Sequence, residues 1–126
     1  MVFDGNESLH VAQLLGGTKN GACTPESIQR AAISRAYFAA FVHALYYEID
    51  NDGFQQSPLD ERGKDHGRLR KHLRDHKKHK IASELKELHH WRKTCDYDYF
   101  TAPSMLLPTA LENSLINAKD IIDSLR

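Results

Sequence analysis

The side chains best equipped for chemistry are concentrated in one stretch of this chain. Between Arg62 and Lys93 there are 12 Lys/Arg against 4 Asp/Glu, and six of the eight histidines (His66, His72, His76, His79, His89 and His90) fall in the same interval. Arginine and lysine hold phosphates and carboxylates, while histidine moves protons near neutral pH because its ordinary pKa is about 6.5. The rest of the chain carries 5 Lys/Arg against 13 Asp/Glu, so a net charge of zero conceals a dipolar molecule. One reading is a basic face for a polyanion or an acidic partner, with Arg35, Arg68, Arg70, Lys71, Arg74, Lys77 and Lys78 as its binding residues. The other is a solvated helix face whose charges are neutralised by acidic neighbours in the fold.

Smaller patterns lie inside and beside that stretch. His72, His76 and His79 are spaced i, i+4 and i+7, which on a continuous helix is one face. Neutral imidazoles so placed can share a transition metal, but the surrounding cations oppose it and a fourth ligand would have to come from elsewhere. The expectation is no metal and no cofactor. Trp91, Tyr97, Tyr99 and Phe100 form an aromatic group beside the basic stretch, suited either to core packing or to stacking on unpaired bases. Arg35 sits among apolar residues. It reads as a phosphate contact or as an arginine paired with a carboxylate such as Asp96 or Asp98, since an unpaired buried guanidinium is costly. His43, on the same segment, reads as a satisfied core histidine.

The elements that must position these residues are helical. A short helix is expected from Asn6 to Leu15, with Asn6 as its cap and Gly16-Gly17 as its stop. Thr24-Pro25 is a strong start signal, a capping hydroxyl followed by proline at the first helical position, and nothing breaks the pattern until Asn51-Asp52-Gly53. Along this long segment Ile28, Ala32, Arg35, Ala39, Val42, Tyr46 and Ile49 mark one buried stripe. Tyr37, Phe38, Phe41, Leu45 and Tyr47 lie outside it, so the helix is central in its domain or covered by a second subunit. Residues 54–64 form a polar loop. The basic region from Asp65 to about Lys93 is helical, with an apolar phase that slips near His76–Lys80, as two helices or one bent one would produce. Pro108 opens a last helix whose stripe is Leu111, Leu115, Ala118, Ile122 and Leu125. No strand pattern competes, and an up-and-down bundle of four to five helices buries these stripes most simply.

At 126 residues, 40% of them hydrophobic and 27% charged, the chain is expected to be one domain spanning residues 1–126. No run approaches the ~18 apolar residues of a membrane span, and the first residues lack the regions of a secretory signal. Cys23 and Cys95 are far apart and form no CxxC pair, which points to free thiols and a cytoplasmic location.

The stretch Ser34-Arg35-Ala36-Tyr37-Phe38-Ala39-Ala40-Phe41 resembles the HEPN superfamily of small helical bundles. Arg92-Lys93-Thr94-Cys95-Asp96-Tyr97-Asp98 is similar to the Arg-x-x-x-Asp-Tyr signature that these proteins carry before their final helix, and His66-Gly67 is a weaker third echo. The resemblance covers roughly Thr24 to Arg126. It implies a four- or five-helix bundle, homodimerisation, and work in bacterial toxin–antitoxin or defence systems. Many members are metal-independent ribonucleases with an Arg, four to six residues, then His. One branch carries Arg-x4-His-x-Tyr beside a nucleotidyltransferase that modifies the motif tyrosine. On this chain Arg92 matches the arginine and Tyr99 the distal tyrosine, but Tyr97 occupies the histidine position. Tyrosine, with a pKa near 10, is a poor general base. Arg70…His76 and Arg74…His79 satisfy the spacing formally, as expected by chance in a segment so rich in both residues.

The expected function is therefore a dimeric binding module that engages RNA, a nucleotide or an acidic partner protein through the basic region. A ribonuclease toxin using Arg92 with Tyr97, Tyr99 or a histidine is the alternative, and a scaffold acting through its dimer surface is a third. The nucleotidyltransferase is a possible partner, and no membrane is expected.

Overall fold

The computed structural model describes residues 4–17, 24–97 and 106–126, with Tyr97 described in its backbone only. It is an all-α bundle of five helices: α1 (Gly5–Gly17), α2 (Pro25–Asp52), α3 (Asp65–Asp75), α4 (His79–Tyr97) and α5 (Leu107–Ser124). A 3-10 turn, Leu59–Lys64, occupies the polar loop before α3. Among the described residues no helix is long and apolar enough to cross a membrane.

Each helix boundary has a local cause. Thr24 caps α2, its hydroxyl accepting from the Ser27 amide at 3.1 Å with Pro25 in the first turn. Gly53 ends α2 in the left-handed region at φ 72°, letting the Phe54 amide reach back to the Glu48 carbonyl at 3.1 Å. The cap of α1 is Asp4 rather than Asn6: its Oδ1 accepts from the Asn6 amide at 2.9 Å, and the helix runs through both glycines to Gly17. The basic region is two helices. The phase slip marks a turn at His76 and Lys77, where Lys77 adopts φ 63°. His72, His76 and His79 therefore share no continuous face, because α3 ends at Asp75 and His79 begins α4. His72 and His76 stack with ring centroids 4.0 Å apart, and no metal-holding group occurs among the described residues.

Helix α2 is central, with α1, α4 and α5 packed on it and α3 leaning on α4. Its buried residues include Ala32, Ile33, Ala36, Tyr37, Ala40, Phe41, Ala44 and Leu45. The alanines let neighbouring helices approach closely. The expected α2 stripe is partly displaced: Ile28, Ala32 and Ala39 are buried, but Arg35 and Tyr46 are exposed. With three sides of the helix covered, the remaining side carries Ala31, Arg35, Phe38 and Tyr46 outward. The α5 stripe is buried at Leu111, Ala118, Ile122 and Leu125, with Leu115 half-buried. Two apolar clusters result. The larger joins α2 to Leu69, Leu73, Leu85, Leu88 and Ile121; the smaller gathers Ala32, Ile33, Cys95, Leu107 and Leu111, with Trp91 packed against it. Trp91 is thus a packing residue. Burial pushes the Cys95 thiol up to about 11. His43 is satisfied, its Nε2 bonded to the Leu125 carbonyl at 2.6 Å.

Candidate functional site

The basic helices do not present one open cationic face. Arg68 donates to Asp65 at 2.7 Å, to the Ser57 hydroxyl and to the Gln55 carbonyl, and its guanidinium lies over Phe54. Lys71 pairs with Asp75 at 2.9 Å. Lys78 is drawn into the fold, bonded to the fully buried Glu48 at 2.9 Å and to Asp52. Burial opposes the Lys78 charge, but the two carboxylates outweigh it and hold its pKa above the usual lysine value. Three of the seven expected anion-binding residues are therefore neutralised by acids close at hand. Arg74 and Lys77 are exposed, with no ion pair among the described residues.

A different set of side chains converges where α2, α3 and α4 meet. Their helical spacing brings them together: Ser34, Tyr37, Phe38 and Phe41 recur on α2, His66 and Arg70 are one turn apart on α3, and His89, Arg92 and Asp96 follow on α4. The Tyr37 hydroxyl bonds to His66 Nδ1. His66 and His89 stack almost parallel, with centroids 4.9 Å apart and planes 4° from each other, and Phe41 covers His66 at 4.4 Å. Arg70 Nη1 donates to His89 Nδ1 at 3.2 Å. The Arg92 guanidinium lies 4.8 Å from the Phe38 ring centroid, its Nε 3.0 Å from Asp96 Oδ2, and the same carboxylate oxygen accepts from Ser34 Oγ at 3.1 Å.

The hydrogen bonds decide how the imidazoles are used. Guanidinium nitrogens only donate, so His89 Nδ1 is an acceptor and the ring proton sits on Nε2. Burial holds the Tyr37 phenol far above its usual range, so it stays protonated and donates to His66 Nδ1. Both rings are therefore neutral and keep an Nε2–H for something else. Burial, followed by the neighbouring cations, keeps them so. His89 is pushed down to about 4 by burial and then by His66, Arg70, Lys93 and Arg92, and His66 is lowered by burial and then by Arg92 and Arg70. Arg70 has no ion pair among the described residues. The arrangement offers guanidinium and imidazole N–H donors in a field of positive sign, which is chemistry for an anion.

The sequence expectations divide accordingly. Arg70 and Arg92 are brought together at this site, and Arg35 lines a neighbouring cleft. Arg35 does not pair with Asp96: Ser34 makes that link, and the buried arginine of α2 is Arg30, which holds Glu26 and the Thr94 and Cys95 carbonyls. The Tyr97 side chain, Asp98, Tyr99 and Phe100 lie outside the described residues, as does Cys23. His89 and Tyr37 were not singled out from the sequence as site residues. Their helical phase with Arg92 and Phe41 was the available signal, but only the packing of three helices joins them. No family model matches this chain, and neither a curated protein nor a solved structure matches it.

Proposed function

We propose that this chain is a HEPN-type binding module and that the Arg70–His89–His66–Arg92 cluster captures a phosphate of RNA or of a nucleotide. One observation carries the reading: neutral imidazole donors, rather than carboxylates, stand beside Arg70 and share its surroundings with Arg92. A cation without an acid partner is stabilised by whatever anion arrives, and each charge-assisted hydrogen bond contributes roughly 1.5–3 kcal/mol. The Ser-Arg-Ala-Tyr and Arg-x-x-x-Asp-Tyr stretches support the family, and with it a homodimer working in a bacterial toxin–antitoxin or defence system. The test is equilibrium binding of a labelled single-stranded RNA and of a mononucleotide across a salt series. Affinity should fall as salt rises, and Arg70→Ala should abolish most of it. Affinity indifferent both to salt and to Arg70→Ala overturns the proposal.

The same side chains favour a second reading, metal-independent RNA cleavage, because two imidazoles stand in the cluster with Arg92 although Tyr97 fills the motif's histidine position. Cleavage needs a free ring nitrogen to take the 2′-hydroxyl proton, and here both Nδ1 atoms are engaged while both Nε2 atoms carry protons. One of these hydrogen bonds has to open before either ring acts as a base, which is why binding is the first reading. RNA cleaved in the presence of chelator by wild type, but not by His66→Asn or Arg92→Ala, would reverse that order.

A further inference from the structure

Beside the anion cluster, α2 and the end of α4 enclose a cleft of about 480 Å³ lined by Ala31, Ser34, Arg35, Phe38 and Asp96. Arg92 links the two, since its guanidinium lies over Phe38 and pairs with Asp96. Phe38 is 38% exposed, unusual for a phenylalanine in a bundle this small, and supplies an aromatic surface. Asp96 is the acid of the cleft. Its Oδ2 accepts from Ser34 and faces Arg92, while Oδ1 has no hydrogen-bond partner among the described residues. Arg35, with no ion pair among the described residues, stands at the rim and keeps the cleft from repelling an anionic ligand.

An aromatic ring, a carboxylate oriented by a hydroxyl and an arginine, and an adjoining phosphate site are the parts of a nucleotide pocket. The carboxylate sets the base. It only accepts, so it selects a base edge that presents adjacent donors. Among the common nucleobases the Watson–Crick edge of guanine does this, through N1–H and the N2 amino group. Adenine and cytosine place a lone pair beside their amino group, and uracil sets its single N–H between two carbonyls. An acceptor facing an acceptor is penalised by the unpaired polar group as well as by repulsion.

We infer that the Ser34–Phe38–Asp96 cleft is a guanine-binding subsite, so that the ligand is a guanosine nucleotide, free or as one residue of a single strand. This inference rests on the anion site proposed above for its phosphate end. The base lies against Phe38, with its donor edge on Asp96 and its phosphate toward Arg92 and Arg70.

The experiment measures binding of GMP, AMP, CMP, UMP and XMP to wild type, Asp96→Asn, Phe38→Ala and Arg70→Ala, with inorganic phosphate as competitor. Wild type should prefer GMP by about 10-fold or more. Asp96→Asn should lose that preference and gain affinity for XMP, whose 2-carbonyl accepts from the new amide. A merely structural role for Asp96 would not produce that gain, and the gain itself reports a folded variant. Phe38→Ala, at an exposed position, should weaken GMP by about 10-fold through lost stacking. Equal affinity for all the nucleotides, still dependent on Arg70, overturns the guanine subsite and leaves the anion site standing. A GMP preference kept by Arg70→Ala while every nucleotide weakens supports both sites; a GMP preference with affinity undiminished in Arg70→Ala supports the subsite and removes the anion site. Absence of any nucleotide binding overturns both. An oligouridylate with one internal guanosine, compared with plain oligouridylate, separates a base within a strand from a free nucleotide.

Discussion

Two groups of cations come from the same basic stretch and meet opposite fates. Lys78 is enclosed by Glu48 and Asp52, and Arg68 by Asp65, Ser57 and the Gln55 carbonyl. Arg70, between them in sequence, faces a neutral histidine, and no acid pairs with it among the described residues. The first group ties the end of α2 to the turn between α3 and α4, and the loop at Gln55 and Ser57 to α3, and its charges are consumed by doing so. The second keeps the Arg70 charge available while crowding four ionisable groups, and among the described residues the acids that act on them are Asp96, paired with Arg92, and Asp65, felt by His66. Net charge along a sequence does not distinguish the two, because it does not say where the acids of another helix will stand.

The sharpest way to break this comparison is to remove one member of each group and measure stability and binding in both. Lys78→Ala leaves a fully buried Glu48 uncompensated and should cost about 3–5 kcal/mol in denaturant unfolding. Arg70→Ala should change stability by less than about 0.5 kcal/mol, because no pairing acid is left behind, while weakening phosphate binding roughly 10- to 100-fold. If Arg70→Ala unfolds the protein and Lys78→Ala does not, the assignment of roles is reversed.

Acidity sharpens the same contrast. His89 has a folded pKa of about 4 against the ordinary 6.5, lowered by burial and then by His66, Arg70, Lys93 and Arg92. Between about pH 6.5 and 4 the unfolded chain binds a proton that the folded chain refuses, so this histidine makes stability fall as pH falls through that window. Glu84 works in the opposite direction. Burial and the Asp120 carboxyl raise it to about 7, so its contribution is lost as pH rises from about 4.5 to 7. The two partly cancel in the wild type. In His89→Gln the opposing slope is gone, and the variant should gain on the wild type toward pH 4.5 in parallel thermal melts. A flat difference between the two curves would mean that His89 is not held neutral by its surroundings.

The smallest effect belongs to the outer surface. Lys71 and Asp75 are both well exposed, and Lys71→Ala should cost no more than about 0.5 kcal/mol and lower RNA affinity less than about 2-fold. An RNA loss as large as that of Arg70→Ala would restore the outer face of α3 as the binding surface.

The helices themselves were legible without coordinates, because their signals are local. Thr24-Pro25 and Asn51-Asp52-Gly53 bound α2 as expected, and Pro108 stands in the first turn of α5. The slip near His76 marks a break that apolar phase alone assigns equally to a bend or to two helices, and the turn at Lys77 makes it two. What failed was the facing of residues whose neighbours are remote. Its period with Ile28 and Ala32 puts Arg35 on a buried stripe. In the fold α1, α4 and α5 cover the other sides of α2 and leave Arg35 outside.

Sequence alone determined an all-helical bundle, its main boundaries, and the presence of more cationic and imidazole groups in one stretch than the local acids can neutralise. Each of these depends on backbone preference, apolar period or composition, which act within a turn or two of chain. The tertiary structure decided which cations were consumed and which were left. Glu48 reaches Lys78 from 30 residues away, and Ser34 meets Asp96 across 62. Tyr37 and Arg70 set the tautomers of two histidines that are not neighbours in sequence. Pairing, desolvation and proton placement depend on distance in space, and only the packing of α2 against α3 and α4 sets those distances.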